Sequence, residues 1–236
     1  MRTTTYTNPA AILMTKIPQR EKIKTRLVPA LSPSETEELS WCFLRDTINR
    51  LEFIGLQNWF AVTPASCLNE LSHLITNSNR VFDQQGDNLG SRMHHAFKQA
   101  FDHGHKPVVL IGSDLPTLPT AHITDSIRIL QNGNADIVFT PTRDGGFGLV
   151  AMANPSPGLM DCVEWSSPTT LQQVLTRARY LRLRWSLLPE WYDIDVGEDL
   201  VTLRHELETS EAARNAAPHT WRWMKRYAHR NNHPNP

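Results

Sequence analysis

The chain is 236 residues long, and its 24 Lys+Arg are balanced by 24 Asp+Glu. Zero formal charge removes long-range attraction to nucleic acid or an anionic membrane as an organising force, while the length fits one large domain or two small ones at roughly 100 to 200 residues each. Cys42, Cys67 and Cys162 are odd in number and lack C-x-x-C spacing, which argues against a disulfide framework or thiolate zinc site and for a reducing cytoplasm.

Taken in chain order, residues 10–14 form an apolar run that reads as a buried strand stopping at Thr15-Lys16 and Pro18. It is far short of the ~18 residues of a membrane span, so neither a span nor an export signal is expected. Ser32, Pro33 and Glu35 make a capping box, and Trp41, Leu44, Ile48 and Leu51 then share one helical face. Residues 59–63 read as a second strand ended by Pro64, and residues 65–75 as a second helix. Leu89, Met93, Phe97 and Phe101 recur at helical spacing over residues 88–101, and residues 108–111 are a continuous apolar run, as in a parallel strand covered on both faces. A helix over 120–130, strands over 137–139 and 147–152, a helix over 169–180, a strand over 181–188 and a helix over 198–207 complete the alternation. The pattern predicts an α/β fold, a three-layer α/β/α sandwich on a mostly parallel, Rossmann-like central sheet, in a single domain over 1–210. Residues 211–236 read as a polar C-terminal tail or a short packing helix. Active sites in such sheets lie beyond the carboxyl ends of the strands.

Three clusters fall at such positions. Lys16, Arg20, Lys22, Lys24 and Arg26 follow the first strand, a place where cations can hold a phosphate chain, or where a charged loop simply meets water. Asp114 follows the apolar strand directly, and Asp193 and Asp195 stand two apart before the last helix. Carboxylates from two strand ends suit a hard dication such as Mg²⁺; read separately, they fix a turn or cap a helix. Asp144-Gly145-Gly146-Phe147 is a tight turn that permits close backbone approach to a ligand, or a plain hairpin. The segment Gly86 to Arg92 either opens a helix or faces a nucleoside. His94-His95 and His103-Gly104-His105 lack a third ligand at suitable spacing, and no zinc site is expected.

In this order the segments resemble the 2-phospho-L-lactate guanylyltransferases and a related, largely uncharacterised glycosyltransferase-A-like family. The resemblance runs through Lys24-Thr25-Arg26-Leu27, Leu31-Ser32-Pro33, the distant Asp46, residues 85–93, 110–116 (LIGSDLP), 144–149 (DGGFGL), 165–169 (WSSPT) and 193–200 (DIDVGEDL), covering about residues 11–205. It implies a nucleotide-diphospho-sugar transferase fold that binds a nucleoside phosphate with Mg²⁺ or Mn²⁺. By position it gives Lys24 and Arg26 to the triphosphate and the catalysed step, with Lys16, Arg20, Thr25 and Ser113 nearby. It gives Gln85, Gly86, Leu89 and Gly90 to the nucleoside, and Asp114, Asp195 and Asp193 to the metal. Asp144, Gly145, Gly146 and Trp165 fall to the acceptor. Two positions depart from the family pattern: Glu21 replaces a phosphate-loop glycine, and Gly148 an aromatic residue. The implied reaction is nucleotidyl transfer from a nucleoside triphosphate to a small phosphorylated or phosphonate acceptor, releasing pyrophosphate. The alternatives are sugar transfer from a nucleotide sugar with Asp144 as base, and nucleotide binding without turnover. Partners are small molecules, without nucleic acid; a homodimer is compatible with this reading.

Overall fold

The computed structural model describes residues 8–19, 23–28, 30–76 and 79–232. Among them seven strands form one sheet: β1 (Ala10–Lys16), β2 (Gln57–Thr63), β3 (Arg80–Asp83), β4 (Val108–Gly112), β5 (Ile137–Pro141), β6 (Phe147–Met152) and β7 (Trp185–Leu187). The helices are α1 (Pro33–Ile54), α2 (Leu89–Asp102), α3 (Thr120–Gln131), α4 (Thr170–Tyr180), α5 (Gly197–Thr209), α6 (Glu211–Ala216) and α7 (Pro218–Asn232), with 3₁₀ turns at Thr25–Leu27 and Ala65–Leu71. The sheet order is β3-β2-β1-β4-β6-β5-β7. All pairs are parallel except those of β6, which runs antiparallel to both β4 and β5 because the Gly145-Gly146 turn folds it straight back.

The central strands follow the period-2 rule inside a sheet covered on both sides. Ala11 and Leu13 pack with Leu44, Ile48 and Leu51 of α1 and Ile123 and Leu130 of α3. Ala10 and Ile12 pack on the opposite face with Met93, Ala96 and Phe97 of α2 and Val174 of α4. This is the three-layer sandwich read from the sequence. Helix α1 begins where its capping box places it: the Ser32 Oγ accepts from the Glu35 N–H, and the Glu35 carboxylate accepts from the Ser32 N–H. Gly55, at φ 74°, closes it in the left-handed region.

Two elements differ from expectation. The segment after Pro64 is a 3₁₀ turn over Ala65–Leu71 and not a helix through residue 75, with only Cys67 and Leu71 of that turn buried, too narrow an apolar face to sustain α geometry. The strand expected over 181–188 shrinks to Trp185–Leu187: Arg182 takes φ 55° and the Leu183 N–H closes back on Ala178, spending that stretch on ending α4. The C-terminal segment holds two helices within its described residues. Trp223 is 1% exposed and, with Met224, Ala213 and Ala217, joins Leu39 and Phe43 of α1 and Leu203 and Leu207 of α5 in a third apolar cluster. The segment's described residues pack into the core.

Candidate active site

Strand order reverses between β1 and β4, since β2 and β3 lie on one side of β1 and β4 on the other. The loops leaving that junction at the carboxyl edge diverge to opposite faces and open a crevice. Three chain segments meet there: the turn around Lys24, the loop after β4, and residues 191–196 before α5.

Lys24 adopts φ 43°, ψ 48°, so the chain turns sharply and its side chain points inward, 5% exposed. Its Nζ donates to the Ile194 carbonyl at 2.6 Å and lies 3.0 Å from Asp114 Oδ2. The Ile194 N–H donates to the Asp114 carbonyl at 3.0 Å. Arg26 Nη1 meets Asp195 Oδ2 at 2.7 Å on the solvent side. The loop cations and the acidic strand ends expected to converge are therefore in direct contact. Thr15 donates to the Ser113 hydroxyl at 3.2 Å, and that hydroxyl lies 3.4 Å from Asp114 Oδ1. Lys16 and Thr25 are exposed on the same edge; Arg20 and Glu21 lie outside the described residues.

A cavity of about 300 Å³ opens beside these groups, lined by Asp114, Asp144, Asp193, Gly146, Leu89 and Trp165. Asp144 is held by its own turn, its Oδ1 accepting from the Thr142 hydroxyl at 2.6 Å and the Gly146 N–H at 3.0 Å. Gly145, at φ 86°, fits because any Cβ would stand 1.9 Å from the Pro168 carbonyl oxygen. Gly90 lies flat against Trp165, where a Cβ would come within 2.4 Å of the indole ring. Trp165 in turn sits edge-on to Phe147, their ring centroids 6.4 Å apart. Gly148, which departs from the family pattern, faces Leu115, and a Cβ there would collide with it at 2.3 Å. Gln85 and Gly86 stand in the turn before α2, outside the cavity lining, Gln85 donating to the Asp83 carboxylate and the Gly86 carbonyl accepting from Arg92.

Asp193 is half-buried, and its carboxyl is pushed up to about 6 by burial first, then by the Asp144 and Asp114 charges, with Lys24 opposing. That field suits a dication, which would offset the burial and the acidic neighbours that disfavour the ionised carboxylate. Among the described residues, however, no three His, Cys, Asp or Glu side chains stand together as a ready-made metal centre. Asp114 and Asp195 pair instead with Lys24 and Arg26. The capping role open to Asp193 or Asp195 belongs to Asp199, whose Oδ2 accepts from the N–H groups of Asp195 and Val196, both at 2.8 Å.

One contributor carries no sequence signal. Gln84 donates to the carbonyls of Thr15 and Ala61, at 3.0 and 2.8 Å, tying the carboxyl ends of β1 and β2 to the turn before α2. Asp46 lies far from the crevice, 1% exposed. Its carboxylate accepts from the N–H groups of His219 and Thr220 at the start of α7, while burial pushes its acidity down against those bonds. A second cavity, about 720 Å³, is bounded by Asp46, Arg50, Thr117 and Trp191. The converging loop charges and the strand-end geometry, and not cavity size, mark the candidate site.

Among the described residues no helix is long and apolar enough to cross a membrane. The chain is 28% identical over 182 residues, 75% of each chain, to the 2-phospho-L-lactate guanylyltransferase of Methanocaldococcus jannaschii. A crystal structure of a provisionally named nucleotide-diphospho-sugar transferase from Desulfovibrio desulfuricans G20 superposes with a TM-score of 0.85 at 26% identity, covering 94% of this chain and 95% of that one. The 4-diphosphocytidyl-2C-methyl-D-erythritol synthase of Anaerococcus prevotii, at TM-score 0.58 and 9% identity over 85% of this chain and 96% of its own, shares the fold. Residues 50–167, which span the Gln84 turn, the Asp114 loop, the Asp144 hairpin and Trp165, match the uncharacterized proteins conserved in bacteria grouped as DUF2064, and the chain belongs to that family.

Proposed function

We propose that the chain is a nucleotidyltransferase, passing a nucleoside monophosphate from a nucleoside triphosphate to a small phosphorylated or phosphonate acceptor. The observation that carries this reading is the Lys24 ammonium, buried at the switch-point crevice between Asp114 and the Ile194 carbonyl. A buried cation beside acidic oxygens at that edge is suited to a polyphosphate that arrives with its own counter-cation.

An acceptor oxygen attacks the α-phosphorus in line, the bond to the bridging oxygen breaks, and its electron pair leaves with pyrophosphate. Lys24 and Arg26 hold the departing oxygens, supported by Lys16, Arg20, Thr25 and Ser113. Gln85, Gly86, Leu89 and Gly90 bound the nucleoside, while Asp144, Gly145, Gly146 and Trp165 bound the acceptor. Asp114, Asp195 and Asp193 would hold Mg²⁺ or Mn²⁺, which would supply neutralisation of the nucleotide oxygens. No side chain needs to become a nucleophile. The three free cysteines suit a reducing cytoplasm.

Asp144 at the cavity wall favours one competing reading, in which it takes the proton of an acceptor hydroxyl that displaces a nucleotide from a sugar. The test offers each of the four nucleoside triphosphates with Mg²⁺ and a set of phosphorylated acceptors, and measures pyrophosphate. Wild type releases pyrophosphate with one pairing, and Asp114→Ala slows release by ~10² to 10³-fold. Consumption of nucleotide sugars with no pyrophosphate from any triphosphate would replace this reading with the second.

A further inference from the structure

Arg50, on α1, is 5% exposed, and among the described residues no carboxylate bonds to its guanidinium, which feels the Asp46 carboxylate one turn earlier only through its charge. Its partners are backbone carbonyls. Nη1 donates to Leu115 at 3.3 Å, and Nη2 donates to Pro116 and to Ala216, the latter at 3.4 Å. Leu115 and Pro116 directly follow Asp114; Ala216 is the last residue of α6. One turn earlier on α1, Asp46 grips the first N–H groups of α7. The pair thus fastens the α6–α7 junction from both sides, and Arg50 alone extends that fastening to the loop carrying Asp114.

The loop needs such a partner. Residues 114–119 contain Pro116 and Pro119, which have no N–H, and the segment bonds to itself through Leu118 N–H to Leu115. A planar guanidinium can satisfy carbonyls on two chain segments at once, which a lysine ammonium cannot do with the same fixed geometry. The buried cation is costly enough that its acidity is shifted, to about 10, chiefly by burial, and its Nε finds no partner among the described residues. Packing alone would be better served by an apolar side chain.

We infer that Arg50 is a positioning residue: by holding the Leu115 and Pro116 carbonyls toward α1 it aims the Asp114 carboxylate into the crevice, and it makes the C-terminal helices part of the site's support. This rests on the proposed metal-binding role of Asp114, so its test does not depend on turnover. Amide hydrogen exchange and Mn²⁺ binding, the latter by loss of the free-ion paramagnetic resonance signal with and without each nucleoside triphosphate, are compared for wild type, Arg50→Ala, Arg50→Lys and Asp46→Asn.

In Arg50→Ala, exchange accelerates over 112–118 and Mn²⁺ affinity falls about tenfold or more, as for other groups that orient a metal ligand. Arg50→Lys lies between, and millimolar guanidinium ion, admitted by the adjacent 720 Å³ cavity, partly restores Arg50→Ala. Asp46→Asn loosens residues 214–221 while leaving Mn²⁺ affinity as in wild type. The inference is overturned if Arg50→Ala accelerates exchange only over 214–221 with Mn²⁺ affinity intact, or if Asp46→Asn weakens Mn²⁺ as much as Arg50→Ala. If wild type binds no Mn²⁺, exchange over 112–118 decides the matter. Absence of pyrophosphate from wild type would refute the transfer reading and leave these comparisons standing.

Discussion

On the β1 side of the crevice Lys24 reaches Ile194 across 170 positions of chain, joined there by a second ion pair between Arg26 and Asp195. On the hairpin side close packing depends on absent side chains: Gly90 under Trp165, Gly145 against Pro168 and Gly148 against Leu115. Charge organises the first side and steric fit the second. Electrostatic contacts in a half-buried crevice act on groups where charge develops, whereas close backbone approach fixes where a neutral body can lie. The two sides should therefore fail differently when mutated, and that difference can be measured.

Lys24→Met is the largest expected perturbation. It retains much of the side chain's bulk while leaving Asp114 without its buried partner, and transfer should slow by ~10² to 10³-fold. Raised salt should weaken triphosphate binding in wild type and have less effect on the variant, because the screened cation is already gone. If initial rates at saturating triphosphate fall less than tenfold, the phosphate side is not where charge is stabilised.

Gly90→Ala tests the other side and should have a smaller effect. The new methyl would stand 2.4 Å from the Trp165 ring, which must shift by several tenths of an ångström or more. Misplacement of a positioning group can cost up to ~10²-fold in kcat/KM, expressed as a raised KM for the triphosphate, whose nucleoside Gly90 bounds, and, through the displaced Trp165, for the acceptor. Trp165→Ala removes the collision, so the double variant should be no worse than Trp165→Ala alone. Additive losses would mean that Gly90 acts on something other than the indole.

How much of this was legible in the sequence follows the same division. Residues 108–111 announced β4 because a strand buried on both faces must be continuously apolar, and Ser32 with Glu35 announced α1 because a capping box satisfies groups that nothing else reaches. Strand β3 gave no signal: Arg80–Asp83 sits at the sheet edge with no buried residue and no apolar alternation. The meeting of Lys24 with Asp114 was readable only through the order of motifs, since chain spacing says nothing of distance across a crevice. Arg50 was invisible for a different reason. A charged residue on an amphipathic helix ordinarily faces water, and only coordinates reveal carbonyls from two other segments around it. Trp223 likewise stood in a basic stretch that resembles a surface, yet it is buried against α1.

The mildest test joins the two sides, because Asp193 senses both Asp144 from the hairpin and Lys24 from the β1 loop. Its folded pKa, about 6, is above the ordinary aspartate value of 3.8, so the folded state binds the extra proton between those values. The resulting contribution is complete below about pH 4 and is lost as pH rises through about 6, where the carboxylate ionises against burial and its acidic neighbours. Wild-type thermal midpoints should thus decline from pH 4 toward 7 by more than those of Asp193→Asn, which has no proton to lose. Mg²⁺ should flatten the wild-type decline and leave the variant unmoved, because a dication relieves the repulsion only where an ionised Asp193 feels it. Parallel pH profiles for the two proteins would show that Asp193 titrates as an ordinary exposed acid, and that the charges of the two sides do not meet at this carboxylate.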